Sequence, residues 1–171
     1  MKMKDRLAEY DHFVDVGILR HCFAQHMRDY DVVFEALGGK KESKGTYRLR
    51  FTHCPEVKTV TKVSDPTWRQ SWSDVFIDHG QWIDAGEPDG FVWGSGWSCA
   101  YPGLSYINGS KRAREWSKRL GKAMHQIVIE TEAFQLQVVF HDFTVTKLND
   151  EVQVLHKVML PFPTQRDEEA I

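Results

Sequence analysis

Residues 29–36 and 47–51 constrain the fold most, because their apolar side chains recur at every second position. Tyr30, Val32, Phe34 and Ala36 alternate with Asp29, Asp31, Val33 and Glu35, and Tyr47, Leu49 and Phe51 alternate with Arg48 and Arg50. Successive side chains of an extended chain point to opposite faces, so period two predicts two half-buried strands. The polar loop between them, Gly38-Gly39-Lys40-Lys41-Glu42-Ser43-Lys44-Gly45, carries glycine at both ends, as a hairpin connection does. The first strand presents acids outward and the second presents arginines, and opposite charges across an antiparallel pair favour that register. Valines and threonines predict a third strand, Val57 to Val63.

The same pattern returns near the end. MRDYDVVFEA followed by YRLRFTHCPEVKTV resembles MHQIVIETEA followed by FQLQVVFHDFTVTKL, with Met27 matching Met124, Glu35-Ala36 matching Glu132-Ala133, and Phe51 matching Phe140. Residues 124–148 therefore read as two strands, and the pair of stretches as an internal repeat. The competing reading is that any two amphipathic hairpins look somewhat alike.

Two helices are predicted between these units. Asp65 and Pro66 suit a helix start, Trp68, Trp72, Val75 and Phe76 fall on one face, and His79-Gly80 ends it. Ser110 caps a second helix at about 111–120, Gly121 ends it, and Ala113, Trp116 and Leu120 form its apolar stripe. Residues 13–23 read as a strand or short buried segment, 91–101 as a strand pair or an irregular strand, and 151–160 as a last strand. The expected class is α+β: mainly antiparallel sheet from two similar β-hairpin units, with two short helices between them. The expected organisation is a charged leader at 1–12, one domain at 13–160 and a disordered tail at 161–171.

Composition narrows the setting. Cys22, Cys54 and Cys99 are odd in number and form no CxxC, which argues for reduced thiols and a cytoplasmic location. No apolar run reaches the ~18 residues of a membrane span, and residues 1–10 lack the apolar core of a signal peptide. The sequon Asn108-Gly109-Ser110 is then a chance match. A formal net charge of −2 excludes a uniformly basic nucleic-acid binder.

Chemistry-bearing motifs are few. His21, His53 and His141 lie on or near strand ends and are the candidate metal ligands, although no HExxH or HxxxH spacing accompanies them. Gly94-Ser95-Gly96-Trp97-Ser98-Cys99 completes neither a nucleophile elbow nor a dinucleotide fingerprint. Cys99 as a nucleophile weighs less than Cys99 as an inert, buried thiol. No cofactor is implied.

Charge is segregated. Residues 70–110 contain no Lys or Arg and five acids, Asp74, Asp78, Asp84, Glu87 and Asp89, among several tryptophans. Residues 111–122 contain six cations, including Lys111, Arg112, Arg114, Lys118 and Arg119, against Glu115 alone. Cations in the first turn oppose the helix dipole, so Lys111 and Arg112 do not serve the helix itself. Either the basic helix compensates the acidic stretch internally, or one of the two faces a partner.

The runs YRLRFTHCPEV, TWRQSWSDVF, VWGSGWSCAYPGL, SKRAREWSKRLG and MHQIVIETEAFQLQVVFHDFTVTKL resemble the YxiG-like family of bacterial proteins over about residues 12–148, with the stretch after Leu148 outside. That resemblance implies a toxin-immunity or related protein-binding role and supplies no catalytic residues. The expectation is thus a non-enzymatic domain that occludes a protein partner, a basic toxin domain, through Asp74, Asp78, Asp84, Glu87 and Asp89 with Trp82 and Trp93 beside them. One rival is an enzyme or ligand-binding domain with a His-lined, metal-holding site. The other is a nucleic-acid binder using Lys111, Arg112, Arg114, Lys118 and Arg119.

Overall fold

Arg50 lies directly across from Asp31, and its Nε and Nη2 donate to the two carboxylate oxygens at 2.6 and 2.7 Å. The opposite-charge register read from the sequence is the one that forms. It joins β2 (Tyr30–Ala36) to β3 (Gly45–Thr52) in a computed structural model that describes residues 2–10, 16–38, 44–65, 68–69, 83–84, 86 and 98–148. The other elements are α1 (Met3–Ala8), β1 (Val16–Phe23), β4 (Glu56–Thr61), β5 (Ser98–Cys99), β6 (Gly103–Tyr106), α2 (Lys111–Leu120), β7 (His125–Glu130), β8 (Phe134–Phe140) and β9 (Asp142–Lys147).

The strands form two antiparallel sheets, ordered β5-β1-β2-β3-β9 and β4-β8-β7-β6. With the helices this is an α+β architecture dominated by antiparallel sheet. The inner faces meet in one core, where Phe51 and Phe140, both fully buried, pack with ring centroids 4.7 Å apart.

The β3–β4 and β8–β9 connections, which both pass between the sheets, run through one corner. Thr52 pairs with Asp142 in the first sheet and Glu56 with Val139 in the second, so His53, Cys54 and Pro55 face only Phe140 and His141. One strand carries an extra residue, a bulge that turns the two-strand ribbon from one sheet into the other. Pro55 lacks the N–H a continuous ladder needs, and His53 takes a positive φ of 48°. The corner corrects the sequence reading of 134–148 as a single strand: it is β8 and β9, divided at His141.

Other expectations shift too. β2 is not half-buried, because Asp31 and Val33 on its outer face are buried along with Val32 and Phe34. The third strand begins at Glu56 and ends at Thr61. The stretch read as a charged leader contains α1, whose Leu7 is buried and whose Arg6 donates to Asp142 at 2.5 Å and to the Phe143 carbonyl at 3.2 Å. Of the described helices, α1 precedes both hairpins and α2 lies between them. Apart from Asp65, Trp68 and Arg69, the helix predicted over 66–79 lies outside the described residues, as do all of 91–97 and all of 151–171.

Candidate functional site

Helix α2 carries the densest charge among the described residues, and its local sequence explains its placement. The Ser110 hydroxyl accepts from the Ala113 N–H at 3.0 Å and also donates to Gln126 of β7, so the cap ties the helix to the sheet. Gly121 ends the helix in the left-handed region, φ 65°, with its N–H bonded to the Ser117 carbonyl. Ser117 in turn accepts from the Met124 N–H at 2.8 Å, fixing the entry into β7.

The helix packs on the outer side of the second sheet through Ala113 and Trp116 against Met124 and Val139. Leu120, read as part of the apolar stripe, is 48% exposed. The close approach to the sheet is made instead by Ser117, whose hydroxyl also donates to the Ala113 carbonyl.

Glu56 is the acceptor that organises this seat, and sequence reasoning passed over it. The Trp116 indole N–H donates to its carboxylate at 2.6 Å, and Arg112 Nε reaches both oxygens at 2.8 and 2.6 Å. Arg112 also bonds Glu115 at 3.0 Å, and Arg119 lies over the Trp116 ring at 3.9 Å. The Arg112 guanidinium holds the Glu56 carboxyl below the usual carboxylate range, with the indole bond adding to the effect. The signal for Glu56 was available: it is the one acid in a short Val/Thr strand directly after a corner proline.

Two of the five cations on this helix are therefore engaged locally. Lys111, Arg114 and Lys118 are exposed, and their side chains form no ion pair or hydrogen bond among the described residues. Spacings of three and four put them on one helix face, opposite the seat.

The histidines separate. His53 and His141 meet at the corner with ring centroids 5.8 Å apart, and His141 Nδ1 lies 2.8 Å from the Ala123 carbonyl oxygen. His21 is elsewhere, 2.6 Å from the Tyr30 hydroxyl and against the Phe134 ring, and burial pushes its pKa down. Phe134 and His141 stand at opposite ends of β8, about 20 Å apart along the strand. Among the described residues no three His, Cys, Asp or Glu side chains converge on a point that could hold a metal.

Of the acidic stretch, only Asp84 is described, and it is exposed. Asp74, Asp78, Trp82, Glu87, Asp89 and Trp93 lie outside the described residues.

The YxiG-like protein family model matches residues 2–164. The chain belongs to the YxiG-like protein family. The match runs past Leu148 and begins before residue 12, so it is wider than the resemblance read from the quoted runs. No similar protein is found among the curated sequences.

In this family member the three cysteines form no disulfide with one another. Cys22 is exposed, Cys99 is half-buried on β5, and Cys54 is buried in the core. Burial pushes the Cys54 thiol up to about 12, which leaves it a packing residue and not a nucleophile at neutral pH. A second group missed from the sequence is Asp29, buried at the corner. It accepts from Arg28 Nε at 2.9 Å and from the His53 N–H at 3.0 Å, holding the bulge in shape.

Proposed function

We propose that this protein is a non-enzymatic protein-binding domain of the immunity type, which occludes a basic partner such as a toxin domain through its acidic, Trp-rich stretch. The observation that carries the reading is the fate of the cations on α2. Arg112 is bonded to Glu56 and Glu115, Arg119 rests on Trp116, and Lys111, Arg114 and Lys118 form no ion pair among the described residues. Of the five acids at 70–110 only Asp84 is described, and no cation of α2 pairs with it; we read the five acids as facing a partner. Steering between opposite charges then raises the association rate, and the neighbouring tryptophans supply buried contact area. The family membership is in keeping with this reading. We further read β2–β3 and β7–β8 as two similar hairpin units, a reading supported by the contact between their matched residues Phe51 and Phe140.

The test is capture by the tagged full-length chain, with Asp84→Lys/Asp89→Lys beside it. The expected result is one stoichiometric partner whose affinity falls with ionic strength and falls at least tenfold in the double variant. Unchanged capture by the double variant overturns the reading.

The exposed row Lys111, Arg114 and Lys118 favours a second reading, contact with a polyanion such as nucleic acid. Three phosphate contacts would give a log–log salt slope of about −3. Binding of a random-sequence duplex with that slope, abolished by Lys111→Glu/Arg114→Glu, would establish it. A flat salt dependence would remove it.

A further inference from the structure

We propose that the cavity between the two sheets is a binding site for a small, uncharged, apolar molecule. The cavity has a volume of about 410 Å³. Protein interiors hold few voids larger than a water molecule, whereas small-molecule sites span roughly 300–1,000 Å³.

The register shows where the cavity lies. Side chains on the inner face of the first sheet form rows across the strands. The row nearest the corner, Tyr30, Phe51 and Phe143, is closed by Phe140 of the facing sheet. The next row out is Val32, Leu49 and Val145, and all three line the cavity. Ile18 and Phe34, in the row beyond, line it as well. The facing sheet contributes Ile129 and Leu104, and Leu7 and Tyr10 contribute from α1 and the residues after it. The sheets are thus in contact at the corner and enclose space away from it.

The lining sets the chemistry of the occupant. Among the described residues no lining side chain carries a charge, and Tyr10 supplies the one polar side chain. A charged ligand would lose hydration with no charged side chain among the described residues to compensate it. Val32, Ile129 and Leu49 are 1%, 3% and 6% exposed, so the walls are interior surface. Leu104 is 39% exposed on the edge strand β6, which gives the cavity an opening to the outside. This inference is independent of the protein-binding reading.

The test titrates the full-length chain with N-phenyl-1-naphthylamine, a neutral fluorophore, and with its 8-sulfonate, which has the same rings and a charge. The expected result is saturable binding of the neutral probe at one per chain, at least tenfold tighter than the sulfonate. Leu104→Glu at the opening and Val145→Trp within the cavity should each weaken the neutral probe at least tenfold, with unchanged circular dichroism. Should Val145→Trp fail to fold, Leu104→Glu decides alone. The proposal is overturned if the neutral probe does not saturate, if the sulfonate binds as well, or if the folded variants bind like the parent.

Discussion

Arg112 donates from Nε to both carboxylate oxygens of Glu56, at 2.8 and 2.6 Å, across 56 residues of sequence. The pair joins α2 to the strand that leaves the corner, and the Trp116 indole N–H shares the same carboxylate. A first-turn arginine that opposes the helix dipole is thereby accounted for by a tertiary partner.

Glu56→Ala should loosen the seat of α2. It leaves the half-buried Trp116 indole without its acceptor, a loss of about 2 kcal/mol. Urea unfolding should show the lower midpoint. Glu56→Gln, which keeps an acceptor oxygen, should recover part of it. Equal stability of parent and alanine variant would contradict the assigned role.

Asp29 should make the corner sensitive to acid. Arg28 first, then the His53 N–H, hold its carboxyl down to about 2 against the opposing effect of burial. A depressed folded-state value contributes stability that is fully present above the unfolded value, about 3.9, and is lost as pH falls through about 2. The urea midpoint should therefore drop between pH 4 and pH 2, and Asp29→Asn should be less stable at pH 7 yet show a shallower drop over that window. An identical acid profile in the variant would contradict the assignment.

Phe51 and Phe140 close the core beside the corner, each fully buried. Either Phe→Ala change should cost about 3–5 kcal/mol. A double-mutant cycle should return a coupling of about 1 kcal/mol, because the rings touch. Additive losses would mean that the contact contributes nothing of its own.

Much of the sheet was legible because period two survives in β2, β3, β7 and β8. The corner was also written in the sequence, as a change of parity: Leu136, Val138 and Phe140 are even, whereas Phe143 and Val145 are odd. Reading 134–148 as one strand missed that switch. β2 was misread as half-buried because Asp31 is polar, yet its pairing with Arg50 lets the carboxylate be buried. The caps of α2 were readable from Ser110 and Gly121, since capping is local chemistry. The bonding partners of Glu56 and Asp29 and the cavity were not, because each depends on residues that only the tertiary fold brings together.

On the proposed reading the acids at 70–110 meet a partner and the cations of α2 stay out of that contact. The most direct measurement is the affinity of the full-length chain for its captured partner at two ionic strengths. It compares the parent, Asp84→Lys/Asp89→Lys and Lys111→Glu/Arg114→Glu. The acid reversal should lose at least tenfold in affinity, with a weaker salt dependence, and the helix reversal should lose none. Loss confined to the helix reversal would contradict that reading and assign the contact to the basic face of α2.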